Sequence, residues 1–126
     1  MTSIAEPATA FVSVVDDDES VRESLPDLLR EFGFSAQAFA DAEDFLQSGA
    51  AERTKCLILD VNMPGMSGPE LKRELERRGY RIPVVFITAH ADTAALPDVL
   101  EGAVACLIKP FSDTALQEAL RKALGA

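Results

Sequence analysis

The feature that most constrains this chain is an alternation, repeated about five times, of short apolar runs with longer amphipathic stretches. Phe11 to Val15, Ser35 to Phe39, Cys56 to Leu59, Val84 to Thr88 and Cys106 to Ile108 are mostly apolar. They read as strands, three of them buried on both faces. Between and after them, Leu25, Leu28, Leu29 and Phe32, then Leu71 and Leu75, and last Leu116, Leu120 and Leu124, recur at three- and four-residue spacings. That spacing gives helices with one buried stripe. Ser20-x-x-Glu23 and Ser67-x-x-Glu70 fit capping boxes, and Gly33 and Gly79 fit helix stops. Pro26 falls inside the first helix, where it removes a backbone hydrogen bond and should bend it.

Strand-then-helix units imply a parallel sheet covered by helices on both faces, because parallel neighbours need right-handed crossovers. The expected fold is an α/β, flavodoxin-like layout: five parallel strands in the order 2-1-3-4-5, with ligands beyond the carboxyl ends of the strands. There is no repeat and no Ser/Gly-rich linker, so residues 11–126 read as one domain behind a flexible tail of residues 1–10. The net charge of −9 disfavours direct contact with nucleic acid or an anionic membrane. No apolar run approaches the ~18 residues of a membrane span, and the first ten residues do not resemble a signal peptide, which leads to an expectation of a cytoplasmic protein. Cys56 and Cys106 lie in apolar runs without CxxC spacing and read as reduced, buried small hydrophobes.

The residues just past the strands carry the chemistry. Asp16, Asp17 and Asp18 follow the first strand, Asp60 closes the third, Thr88 closes the fourth, and Lys109-Pro110 follows the fifth. Strands 1 and 3 are neighbours in the expected order, so their acids would meet on one rim, a repulsion that a hard divalent cation relieves. Mg²⁺ suits such a site, since it takes few protein oxygens and completes its shell with water and phosphate. Thr88 and Lys109 supply the hydroxyl and point charge that a phosphoryl group needs. No Gly-rich phosphate loop is present, so a covalent phosphate is favoured over a bound nucleotide, with Asp60 as the nucleophile. Taken singly, the acids could be charges complementing a helix dipole, Thr88 a β-branched strand residue and Lys109 a solvated lysine. Their convergence from four strand ends gives the combination its meaning.

The segments VVDDDESVR (Val14 to Arg22), LILDVNMPGMSG (Leu57 to Gly68), VVFITAHAD (Val84 to Asp92) and IKPF (Ile108 to Phe111) resemble a two-component response-regulator receiver domain, from about Phe11 to Leu124. ITAHAD, KPF and the AEDFL of the second helix are most similar to the FixJ type. The resemblance implies phosphorylation of Asp60 by a histidine kinase or histidine phosphotransfer protein, with an unknown downstream effector. It also implies Mg²⁺ on Asp16, Asp17, Asp60 and the Asn62 carbonyl. Thr88 becomes the switch hydroxyl, Lys109 the phosphate-pairing lysine ahead of a cis Pro110, and Asn62 and His90 the positions that tune hydrolysis of the acyl phosphate. Cys106 stands at the switch position where receivers commonly carry an aromatic ring. Against the FixJ pattern the chain is about one residue short between Thr88 and Lys109. The fourth helix is then expected to be short, with Pro97 as its first residue. Two competing readings are a haloacid-dehalogenase-type phosphatase, from Asp16-x-Asp18-x-Ser20, and a degenerate receiver acting as a docking domain.

Overall fold

The computed structural model describes residues 10–94, 97 and 101–125. Residues 1–9 of the expected tail lie outside them. Five parallel strands form one sheet: β1 (Phe11–Val15), β2 (Ser35–Phe39), β3 (Cys56–Asp60), β4 (Val84–Thr88) and β5 (Ala105–Ile108). Their order is β2-β1-β3-β4-β5. The helices are α1 (Glu19–Glu31), α2 (Ala42–Ser48), α3 (Gly68–Arg77), α4 (Ala91–Ala94) and α5 (Asp113–Leu124), with a single 3-10 turn at Ala50–Glu52. Among the described residues no helix is long and apolar enough to cross a membrane.

Alternation along each central strand divides the core into two layers. Cys56 and Ile58 of β3 join Val12, Val14, Val85 and Ile87 beneath Leu25 and Leu29 of α1 and Leu116 and Leu120 of α5. Leu57 and Leu59 face the other way, with Val15 and Phe86, onto Phe45 of α2 and Leu71 and Leu75 of α3. Every residue of β3 and β4 is buried, which is why both read as unbroken apolar runs.

Helix ends partly depart from expectation. Ser67 and Glu70 form the expected capping box, with Pro69 in the first turn. Ser20 is not a cap: α1 begins at Glu19, and the Asp18 carboxylate accepts from both the Ser20 N–H (2.9 Å) and the Ser20 hydroxyl (2.8 Å). A carboxylate two residues upstream takes the capping role because it is the stronger acceptor at a helix start. Gly33 and Gly79, at φ of 100° and 91°, stop α1 and α3 as expected. Helix α1 runs unbroken through Pro26, whose ring is buried on the packed face beside Leu25 and Leu29.

The edge of the sheet also differs from expectation. Both cysteines are free, and β4 stands between their strands. Cys56 is fully buried, and burial pushes its thiol up to about 12, which leaves it unreactive. Cys106 is only half-buried, because β5 has a neighbour on one side alone. Helix α4 opens at Ala91, six residues before the expected start at Pro97, in an alanine-rich segment with strong helical preference. Pro97 is itself helical, and its carbonyl accepts from Glu101 N–H at 2.8 Å. Residues 95, 96 and 98–100, where the remainder of the expected helix falls, lie outside the described residues.

Candidate functional site

The carboxyl ends of β1, β3 and β4 bring polar side chains to a rim that their apolar neighbours have sealed from below. Asp16 follows β1, tied to the sheet by its N–H donating to the Phe39 carbonyl (3.1 Å), and it is fully buried. One carboxylate oxygen, Oδ1, accepts from Asp18 N–H at 2.9 Å. The other lies 3.0 Å from Lys109 Nζ, an ion pair whose alignment falls short of a hydrogen bond. Asp60, 5% exposed, closes β3 and accepts from the Asn62 N–H at 3.3 Å. Asp17 is exposed beside them, and one oxygen from each of Asp16, Asp17 and Asp60 lies within 4.8 Å of the others.

Burial raises the Asp60 carboxyl, to about 7, and the Asp16 charge adds to the rise while Lys109 opposes it. For Lys109 burial acts downward, but the Asp16 and Asp60 carboxylates outweigh it and hold the ammonium above its usual range. The charges are therefore unbalanced on the acidic side, and one buried Asp16 oxygen has no aligned donor. Three clustered carboxylate oxygens, two from buried side chains and one facing solvent, match a hard cation that retains part of its water shell.

Thr88 ends β4 and is wholly buried. Its hydroxyl donates to Asn62 Oδ1 (3.3 Å) and accepts from the His90 N–H (3.1 Å). Lys109 is held by its N–H donating to the Thr88 carbonyl (2.8 Å), and the Lys109–Pro110 bond is cis. The expected residues Asp16, Asp17, Asp60, Thr88, Lys109 and Asn62 are thus brought together. His90 joins through its backbone N–H, with an exposed side chain. Cys106 pairs in register with Phe86, one side-chain repeat below Thr88 on the same face, and packs on the α2/α3 layer.

Two supporting residues were not anticipated from the sequence. Arg22 Nη1 donates to the Asp16 carbonyl at 3.1 Å, tying the first turns of α1 to the rim. Gly68 donates its N–H to the Val61 carbonyl (3.0 Å), and a Cβ there would collide with the Asp60 carbonyl oxygen. Its place after Ser67, at the very start of an amphipathic helix, was the available signal, since glycine there permits close backbone approach. Asp18 turns to cap α1, which removes it from the paired-acid arrangement of the dehalogenase reading.

Comparison with known proteins places these residues in a family. The model of the response regulator receiver domain matches residues 12–121. Nodulation protein W of Bradyrhizobium diazoefficiens is 44% identical over 112 residues, which are 88% of this chain and 49% of that protein. The transcriptional regulatory protein FixJ of Azorhizobium caulinodans is 40% identical over 120 residues, 94% of this chain and 57% of that protein. The chain thus spans about half the length of these relatives. The crystal structure of FixJ-N superposes with a TM-score of 0.83 at 37% identity, covering 94% of this chain and 96% of that one. With its flavodoxin-like sheet, its acidic rim and this match over most of its length, the chain belongs to the response regulator receiver domain family.

Proposed function

We propose that this receiver is switched by phosphorylation of Asp60, with the phosphoryl group taken from the phosphohistidine of a histidine kinase or histidine phosphotransfer protein. The observation that carries the proposal is the convergence of Asp16, Asp17 and Lys109 on a nearly buried carboxylate at the end of a wholly buried strand. In the transfer, an Asp60 oxygen bonds to phosphorus as the bond from phosphorus to the donor's imidazole nitrogen breaks. The electron pair leaves with the imidazole. Lys109, already above its usual range and charged, exchanges Asp16 for a phosphoryl oxygen. Thr88 donates its hydroxyl proton to another. Asp16, Asp17, Asp60 and the Asn62 carbonyl would hold Mg²⁺, which neutralises charge on the transferring group when bound.

The chain catalyses only its own phosphorylation and dephosphorylation, and Asn62 and His90 stand where they set how fast water removes the phosphoryl group. Residues 11–126 form the receiver unit, working in the cytoplasm and read by a downstream effector. Incubation with acetyl phosphate or a cognate kinase and Mg²⁺ tests the proposal. Label should appear on Asp60 alone, and an Asp60→Asn protein labelled to the wild-type level would overturn it. Thermal melts supply a second check, because a ligand that binds only the native state stabilises by mass action. Millimolar Mg²⁺ should raise the melting temperature of the wild type, with little effect on Asp17→Ala.

A further inference from the structure

The Thr88 hydroxyl has one proton and two acceptor lone pairs. The His90 N–H fills a lone pair at 3.1 Å, and among the described residues the proton's acceptor is Asn62 Oδ1 at 3.3 Å. The Thr88 side chain has no solvent exposure, so water at the surface does not substitute for that acceptor. Asn62 has a second tie, through its N–H, to the Asp60 carboxylate. One residue therefore touches both the acid and the hydroxyl that the proposed switch depends on.

From this arrangement we infer that Asn62 is a positioning residue, a latch that keeps Thr88 in its resting place by competing with the phosphoryl group for the single hydroxyl proton. The inference rests on the phosphoacceptor reading of Asp60 and adds to it what opposes the switch. The geometry favours a bond that is made and broken easily. At 3.3 Å it is longer than the usual ~2.7–2.8 Å of O–H···O bonds. A phosphoryl oxygen carries charge and attracts the same proton more strongly. Asn62 is exposed, so its released amide oxygen is satisfied by water at little cost. In the resting state the hydroxyl also holds the His90 N–H, so its motion bears on the first residues after β4. A ligand shifts an equilibrium only through differential contacts, and the Asn62 bond is a contact of the resting state alone.

Beryllofluoride with Mg²⁺, an acyl-phosphate mimic, gives the test by titration followed through backbone NMR. Wild-type binding that is lost in Asp60→Asn tests the underlying reading, and absence of wild-type binding would defeat that reading by itself. Given wild-type binding, Asn62→Ala strands the buried hydroxyl proton in the resting state only. Its apparent affinity for the mimic should rise about threefold, the equivalent of one weak net hydrogen bond. The His90 amide resonance of mimic-free Asn62→Ala should also lie partway toward its mimic-bound position. Thr88→Val removes the proton in dispute, so adding Asn62→Ala to that variant should change neither quantity. An unchanged or weaker affinity in Asn62→Ala, or the same gain in the Thr88→Val background, would overturn the latch.

Discussion

The two strands flanking the Thr88 end of the sheet differ sharply in enclosure. β3 is walled in by β1, β4 and helices on both faces, and every residue in it is buried. β5 is the sheet's edge, its residues are half-buried, and Ile108 is 45% exposed. Each delivers one charged residue to the rim: Asp60 belongs to the enclosed strand and Lys109 follows the open one. Enclosure fixes Asp60 in place and raises its proton affinity, while Lys109 sits just past a strand with fewer neighbours to oppose movement. A rigid acid facing a cation just past a looser strand suits a site whose charge changes when it is used.

The comparison is broken most directly by deleting apolar bulk on each side of β4. Leu57→Ala in β3 empties a fully buried position and should cost ~2–5 kcal/mol of unfolding free energy, against no more than ~0.5 kcal/mol for Ile108→Ala in β5. Urea melts of the two variants measure this. Equal losses would show that the edge carries as much of the fold as the centre.

Gly68 tests how tightly the enclosed end is held. An added Cβ meets the Asp60 carbonyl oxygen and stands 3.0 Å from Val61 Cα, both backbone atoms of the strand end and its exit. Gly68→Ala should therefore destabilise by ~2 kcal/mol, in the range for overpacking, and shift the Asp60 and Val61 amide resonances. Gly65→Ala is a useful contrast. It meets no neighbour there, and its cost comes only from a φ of 78°.

Strands, sheet order and the rim acids were legible because burial on both faces writes itself as continuous apolar sequence, and function writes itself as polar residues at the ends of those runs. What was not legible depended on neighbours that the local pattern does not contain. CLI around Cys106 looks as buried as CLIL around Cys56 in the local pattern, and although the expected order already put strand 5 at an edge, the run itself carries no mark of the open side that leaves Cys106 half-buried. Ser20 matched a capping box in isolation, and Asp18, two residues upstream, took the position. The Asn62–Thr88 bond joins side chains 26 residues apart, and the Lys109–Asp16 pair bridges β1 and β5, two strands that are not adjacent. No periodicity encodes such contacts.

The raised Asp60 carboxyl gives the enclosed side a pH signature. In the metal-free protein the folded-state value of about 7 lies above the ordinary 3.8, so the native state binds the extra proton between those limits. Stability from this group is complete below 3.8 and is lost as pH rises through about 7. At pH 8 without metal, Asp60→Asn should therefore be the more stable protein by on the order of 1–2 kcal/mol, and the advantage should vanish near pH 4. Saturating Mg²⁺ should reduce it. An advantage that grows as pH falls would contradict the sign of the shift.

The smallest effect is expected at the open edge, when the site is loaded. Thr88 and Cys106 lie on the same face, one side-chain repeat apart across the β4–β5 pair, so movement of the threonine opens space toward Cys106. A thiol is too small to couple that space to the surface by burying and exposing a large side chain, as an aromatic ring would. The differential contacts available to drive β5 are then few, and the gap between resting and loaded states at this edge should be narrow. With beryllofluoride and Mg²⁺, amide shifts should be large at Asp60, Thr88 and His90 and should decline along β5 toward Ala105, with sedimentation showing little or no monomer-to-dimer conversion. Cys106→Tyr restores a ring and should enlarge the β5 response. Large shifts throughout Ala105–Leu124 in the wild type, together with clean dimerisation, would show that the open edge responds as strongly as the enclosed site and that side-chain bulk at Cys106 does not limit the signal.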